Sequence, residues 1–126
     1  MFRLLVVALS ATLSTVALGQ TLTVSGTCPG TMDLHATGFA PGESLAVLSG
    51  DGLGSAMLPA GPCAGTATGL SNSGFALRAT TSANGAGEWA LSPSLPGGIC
   101  GSQLQVVSST ACGDMTNTAE LSTPVA

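Results

Sequence analysis

Residues able to carry chemistry are few in this chain, and their spacing suits it poorly. His35 is the lone imidazole, two positions from Asp33. On a strand those side chains share a face, where a carboxylate next to an imidazole makes a candidate general base. The same placement is ordinary on a solvated strand face, and that plainer reading is preferred. No G-x-S-x-G elbow presents a nucleophilic serine. A Ser-His-Asp set would therefore have to assemble across the fold, with nothing in the sequence selecting its serine. The acids Asp33, Glu43, Asp51, Glu88, Asp114 and Glu120 show no spacing that marks a glycosidase pair, and three Phe, one Trp and no Tyr offer few walls for a sugar.

Gly50-Asp51-Gly52-Leu53-Gly54 has the outline of an ion or phosphate loop. It lacks the lysine of a P-loop and the repeated acids of an EF-hand, so a strand connection is the simpler reading. Asp51 and Asp114 together would give a calcium ion only two carboxylates, and hard cations want several oxygens. Gly85-Ala86-Gly87 would need a following helix to be a nucleotide motif. Trp89, if exposed, would stack on a sugar or anchor a partner; its alternation with Leu91 instead places both on a core face. No catalytic residue, metal ligand or cofactor is assigned.

Cys28, Cys63, Cys100 and Cys112 make an even set without a C-x-x-C pair, and His35 lies seven positions from the nearest of them. That pattern points to two disulfides and away from tetrahedral zinc. The compartment agrees. Met1-Phe2-Arg3 gives a positive start, the stretch from Leu4 to Leu18 is apolar, and Ala17-Leu18-Gly19 is a small-x-small exit. Residues 1–19 are accordingly expected to be a signal peptide, its apolar part short of the ~20 residues that span a bilayer. Removing 19 of the 126 residues leaves 107, read as one domain over 20–126. A secreted product, extracellular or periplasmic, with no membrane insertion after cleavage, is expected.

That product keeps Arg78 as its one basic side chain against six acids. A surface without lysine releases few counterions from phosphates, which argues against nucleic acid and anionic membrane as partners. With 3% aromatic residues the core must be built from Leu, Val, Met and Ala, and crosslinks matter more.

Apolar and polar residues alternate with period two through 21–25, 32–37, 75–80, 88–92, 103–106 and 118–121. Pro29-Gly30, Pro41-Gly42, Asp51-Gly52, Pro59 to Pro62, Asn84-Gly85 and Pro96-Gly97-Gly98 punctuate these runs and leave no room for long helices. Short strands at this spacing indicate an all-β sandwich or barrel. Asn84 to Gly87 is expected to close a hairpin between the strands on either side, setting Arg78 and Glu88 on one polar face as a pair.

The segment from His35 through Gly38-Phe-Ala-Pro-Gly-Glu43 to Leu45 resembles the strand, G-F-x-P-G-E turn and next strand of secreted bacterial immunoglobulin-like domains. Ala83 to Trp89, Leu95-Pro96 and Gln103 to Val107 are similar to their hairpin, proline-bearing corner and penultimate strand. The cysteine placement, including Gly61-Pro-Cys-Ala-Gly-Thr66, also resembles that of small uncharacterised secreted bacterial proteins. The resemblance implies an immunoglobulin-like antiparallel β-sandwich of about seven to eight strands, and it carries no activity. The stretch from Gly50 to Gly74 departs from the commoner domains as a long insert, in which Met57 and Leu58 are candidates for exposed apolar contact.

An extended strand over 103–109 would hold Cys100 and Cys112 too far apart to bond. In an immunoglobulin-like order Cys28 lies in the first turn, at the same end as Cys100. If Ser55 to Leu58 runs as an extra edge strand, Cys63 arrives at the other end near Cys112. The resemblance thus implies Cys28–Cys100 and Cys63–Cys112. The functional expectation is a secreted, non-catalytic structural or protein-interaction module. The alternative is a module binding carbohydrate or a cell-surface ligand through 50–74. In either case the partner is an unknown protein or surface glycan.

Overall fold

The computed structural model describes residues 19–122; the first 18 residues of the signal peptide expected at 1–19 lie outside them. Eight strands run through these residues: β1 (Thr21–Gly26), β2 (Gly30–Thr37), β3 (Ser44–Gly50), β4 (Ala76–Ser82), β5 (Trp89–Leu91), β6 (Ser94–Leu95), β7 (Gln103–Ser108) and β8 (Ala119–Glu120). A single 3-10 turn, Gly97–Ile99, is the one helical element among the described residues. The strands form two antiparallel sheets. In the first, β2 lies between β1 on one side and β5 and β6 on the other; the second has the order β4-β3-β7-β8.

The core follows from the period-two pattern. Leu22 of β1 and Met32, Leu34 and Ala36 of β2 face Leu45 and Val47 of β3 and Leu104 and Val106 of β7, with Phe39, Trp89 and Leu121 completing the cluster. Trp89 is buried in this layer, as its alternation implied. Leu91, on the same face of β5, is half exposed at the open side of the sandwich.

The G-F-x-P-G-E turn is closed reciprocally. The Ala40 N–H donates to Glu43 Oε1 at 2.8 Å, and the Glu43 N–H donates to the Ala40 carbonyl at 3.1 Å. That turn carries the chain from the first sheet to the second.

Three expectations need correction. The loop from Asn84 to Gly87 does not close a hairpin, because β4 belongs to the second sheet and β5 to the first. The turn is locally tight, with Asn84 Oδ1 accepting from the Ala86 and Glu88 N–H groups at 2.8 and 3.0 Å, yet it serves as a crossover between layers. Arg78 and Glu88 consequently do not pair. Arg78 Nε donates to Ser49 Oγ at 2.7 Å, while Glu88 Oε1 lies 3.3 Å from His35 Nε2. Finally, Ser55 to Leu58 is not an edge strand of either sheet. It folds back on the following chain through isolated bridges, Leu53 with Leu70 and Met57 with Ala67.

Both disulfides are present, and they join Cys28 to Cys100 and Cys63 to Cys112 with Cα separations of 5.6 and 5.3 Å. The first ties the β1–β2 turn to the segment before β7. The second ties the insert to the loop after β7. These bonds fit an oxidising compartment. No helix among the described residues is long and apolar enough to cross a membrane.

Candidate functional site

The His35 neighbourhood is the nearest approach to a catalytic set. β2 projects Asp33 and His35 outward from the first sheet, and the pairing of His35 with Ala90 brings Glu88 and Ser92 alongside. Ser92 Oγ donates to Asp33 Oδ1 at 2.6 Å, and His35 Nε2 meets Glu88 Oε1 at 3.3 Å. The serine hydroxyl is thus engaged by a carboxylate and not by the imidazole, whereas a nucleophile needs its base as hydrogen-bond partner. His35 and Glu88 are 47% and 43% exposed, so their contact is a solvated one. Sequence reasoning did not select Ser92, and it assigned Glu88 to Arg78 and not to His35, because cross-strand register is invisible until the strands are paired.

The loop at Gly50 to Gly54 is held by its own neighbours. Asp51 Oδ2 accepts from Ser73 Oγ at 2.8 Å, and the Gly52 N–H donates to Ser71 Oγ at 3.1 Å. Among the described residues no group of three or more His, Cys, Asp or Glu side chains stands together.

The insert builds a concavity on the outer face of the second sheet. Alternation along β3 sends Leu45 and Val47 inward and Ala46 and Leu48 to the opposite face; β7 likewise turns Val107 outward. In a plain sandwich that outer face would meet water. Here Leu48 and Val107 are buried beneath fully buried Leu70, with Leu58, Phe75 and Met115 packed around them. Backbone bonds hold the insert in shape: Ala56 N–H to the Leu70 carbonyl at 2.8 Å, and Leu58 N–H to the Thr66 carbonyl at 2.9 Å.

Buried Gln105 fastens the insert to the sheet. Its Oε1 accepts from the Gly69 N–H at 2.8 Å and its Nε2 donates to the Thr116 carbonyl at 2.7 Å. The Cys63–Cys112 bond is a second anchor.

Between the insert and β4 the covering is incomplete. A cleft of about 310 Å³ opens there, floored by Ala46, Leu48 and Val107 and walled by Leu58 to Cys63 on one side and Phe75 to Leu77 on the other. Thr80, Ser108 and Ser109 supply its side-chain hydroxyls, and no ionisable side chain lines it. Leu77 stands at its wall 59% exposed. Of the two insert residues singled out from sequence, Met57 is exposed and Leu58 is half-buried in the cleft wall.

A cleft of this size lies at the lower end of small-ligand sites and also suits one or two apolar side chains of a partner. It offers contact area and exclusion of water. It offers no acid, base or charged group for a reaction. Phe75 is its one aromatic ring, which gives a sugar little to stack on. The chain matches no protein-family model, no curated protein and no solved structure.

Proposed function

We propose that this chain is a secreted, non-catalytic interaction module of immunoglobulin-like type, and that its contact surface is the cleft between the insert and β4. The observation that carries this reading is the uncharged, apolar cleft of about 310 Å³ with Leu77 exposed at its wall. An apolar hollow left open on a small acidic protein is where association gains most from removing surface from water. The strand order supports the immunoglobulin-like reading, since β1-β2-β5 and β4-β3-β7-β8 follow the two-layer arrangement of that architecture. The paired cysteines and the leader pattern support secretion.

The test is capture from culture medium with oxidised protein and its Leu77→Lys variant side by side. A protein retained by the first and lost with the second supports the reading; capture indifferent to Leu77 contradicts it. A glycan array is the control for the carbohydrate alternative, which positive, Phe75-dependent binding would restore.

A further inference from the structure

We propose that the gap between the two sheets beside Arg78 binds a small amphiphilic carboxylate, its acyl chain held between the layers and its head group on the guanidinium. The site is separate from the outer cleft and lies across β4 from it.

It begins with an irregularity in β4. Val47 pairs with Ala79 and Leu48 with Leu77, so Arg78 has no partner in the ladder and bulges from it. Strict alternation would put Leu77 and Ala79 on one face and Arg78 and Thr80 on the other. The bulge breaks that order: Leu77 and Thr80 line the outer cleft, whereas Arg78 and Ala79 line the space between the sheets. An extra residue in a strand re-aims a side chain, and the one re-aimed here is the only Lys or Arg among the described residues.

Its destination is an apolar gap of about 230 Å³. Leu34, Trp89 and Leu91 line it from the first sheet, and Val47, Ala79 and Leu104 from the second. Arg78 is the one ionisable side chain in its lining. The layers are open here because β4 and β5 are both edge strands, and Leu91 at the mouth is 48% exposed. An apolar cavity of about 150 Å³ takes up benzene, so this gap has room for a chain of about eight carbons.

The guanidinium is oriented for an anion. Its Nε donates to Ser49 Oγ at 2.7 Å, and Ser49 is itself buried in β3. That bond fixes the plane of the group and leaves its Nη edge, the fork that meets a carboxylate through two parallel N–H···O bonds. No carboxylate among the described residues pairs with it; Glu88 is engaged by His35 and Asp33 by Ser92. Charge therefore selects the head group, and the apolar walls select the tail. The six acids elsewhere oppose an anion at long range, but physiological salt screens them beyond about 8 Å and weakens a direct, partly buried contact much less.

Titration of the oxidised chain with octanoate, read by Trp89 fluorescence and by equilibrium dialysis, tests this. Trp89 is the only tryptophan, so the signal comes from the wall of the gap. The expected result is saturable binding, with octanol, octyltrimethylammonium and acetate each about tenfold weaker or more. Arg78→Met keeps the aliphatic stem without the charge, and Leu91→Glu puts a competing carboxylate at the mouth. Each is expected to weaken octanoate about tenfold or more while thermal unfolding reports an intact fold. Leu77→Ser, in the outer cleft, is expected to leave octanoate binding unchanged. Absence of saturable binding, equal binding of octanol, or binding lost with Leu77→Ser and kept with Arg78→Met overturns the proposal. Such a failure leaves protein capture through the outer cleft standing, since that cleft shares no lining residue with the gap.

Discussion

The Asn117 side-chain amide is bonded to the backbone of Leu22 in both directions: Oδ1 accepts the Leu22 N–H at 2.9 Å and Nδ2 donates to the Leu22 carbonyl at 3.1 Å. A single amide thereby does for β1 what a neighbouring strand would do, and it links the first sheet to the segment that leads into β8. Removing it leaves a partly buried donor and acceptor without partners. Asn117→Ala is expected to lower stability by about 1 to 3 kcal/mol. Urea unfolding measures the loss, and an unchanged midpoint contradicts the role.

Gln105 is the corresponding device on the outer face of the second sheet. Gln105→Leu keeps bulk and apolar contact but strands the Gly69 N–H and the Thr116 carbonyl. The expected cost is about 1 to 3 kcal/mol, with faster amide exchange at Gly69. Equal stability and unchanged exchange would show that the insert is held by other contacts.

Cys63 and Cys112 span 49 residues and fix the insert, whereas Cys28 and Cys100 span 72 and fix the sandwich. Replacing both members of the first pair by serine is expected to cost about 2 to 4 kcal/mol. Thermolysin should then cut first between Gly50 and Gly74. Cleavage beginning elsewhere would contradict the division of labour between the two bonds.

Gly87 sits at φ +76°, and its carbonyl accepts the Phe39 N–H at 3.1 Å. A Cβ there would run into the Phe39 carbonyl oxygen. Gly87→Ala is expected to destabilise by about 1 to 3 kcal/mol from the backbone conformation alone, with the steric conflict adding to it. Thermal unfolding of this variant against Gly85→Ala is the check, since nothing stands near a Cβ at Gly85; equal effects would refute the assignment.

Much of the sandwich was legible because β1 and β2 bury one face and wet the other, which writes Leu22, Met32, Leu34 and Ala36 into the sequence at period two. β3 was legible only through the turn before it. Its Leu45-Ala-Val-Leu48 run is buried on both faces, so the alternation that marks a half-buried strand is missing. The reason is the insert, and nothing local in Gly50 to Gly74 says which face of which sheet it will cover. The same gap explains the misread hairpin. Asn84 to Gly87 has turn chemistry, but turn chemistry does not state whether the next strand joins the same layer. The cleft combines β3, β4, β7 and the insert, and such a site has no sequence spacing at all.

The central claim is that the insert folds onto the outer face of the second sheet and leaves the cleft beside β4. Methyl-resolved NMR of the oxidised protein tests it most directly, through the contact of Leu70 with Leu48 and Val107. Strong cross-relaxation among those three residues is expected. Its absence, with the Leu70 methyls at solvent-exposed shifts, would show that the insert stands away from the sheet and that the cleft does not exist.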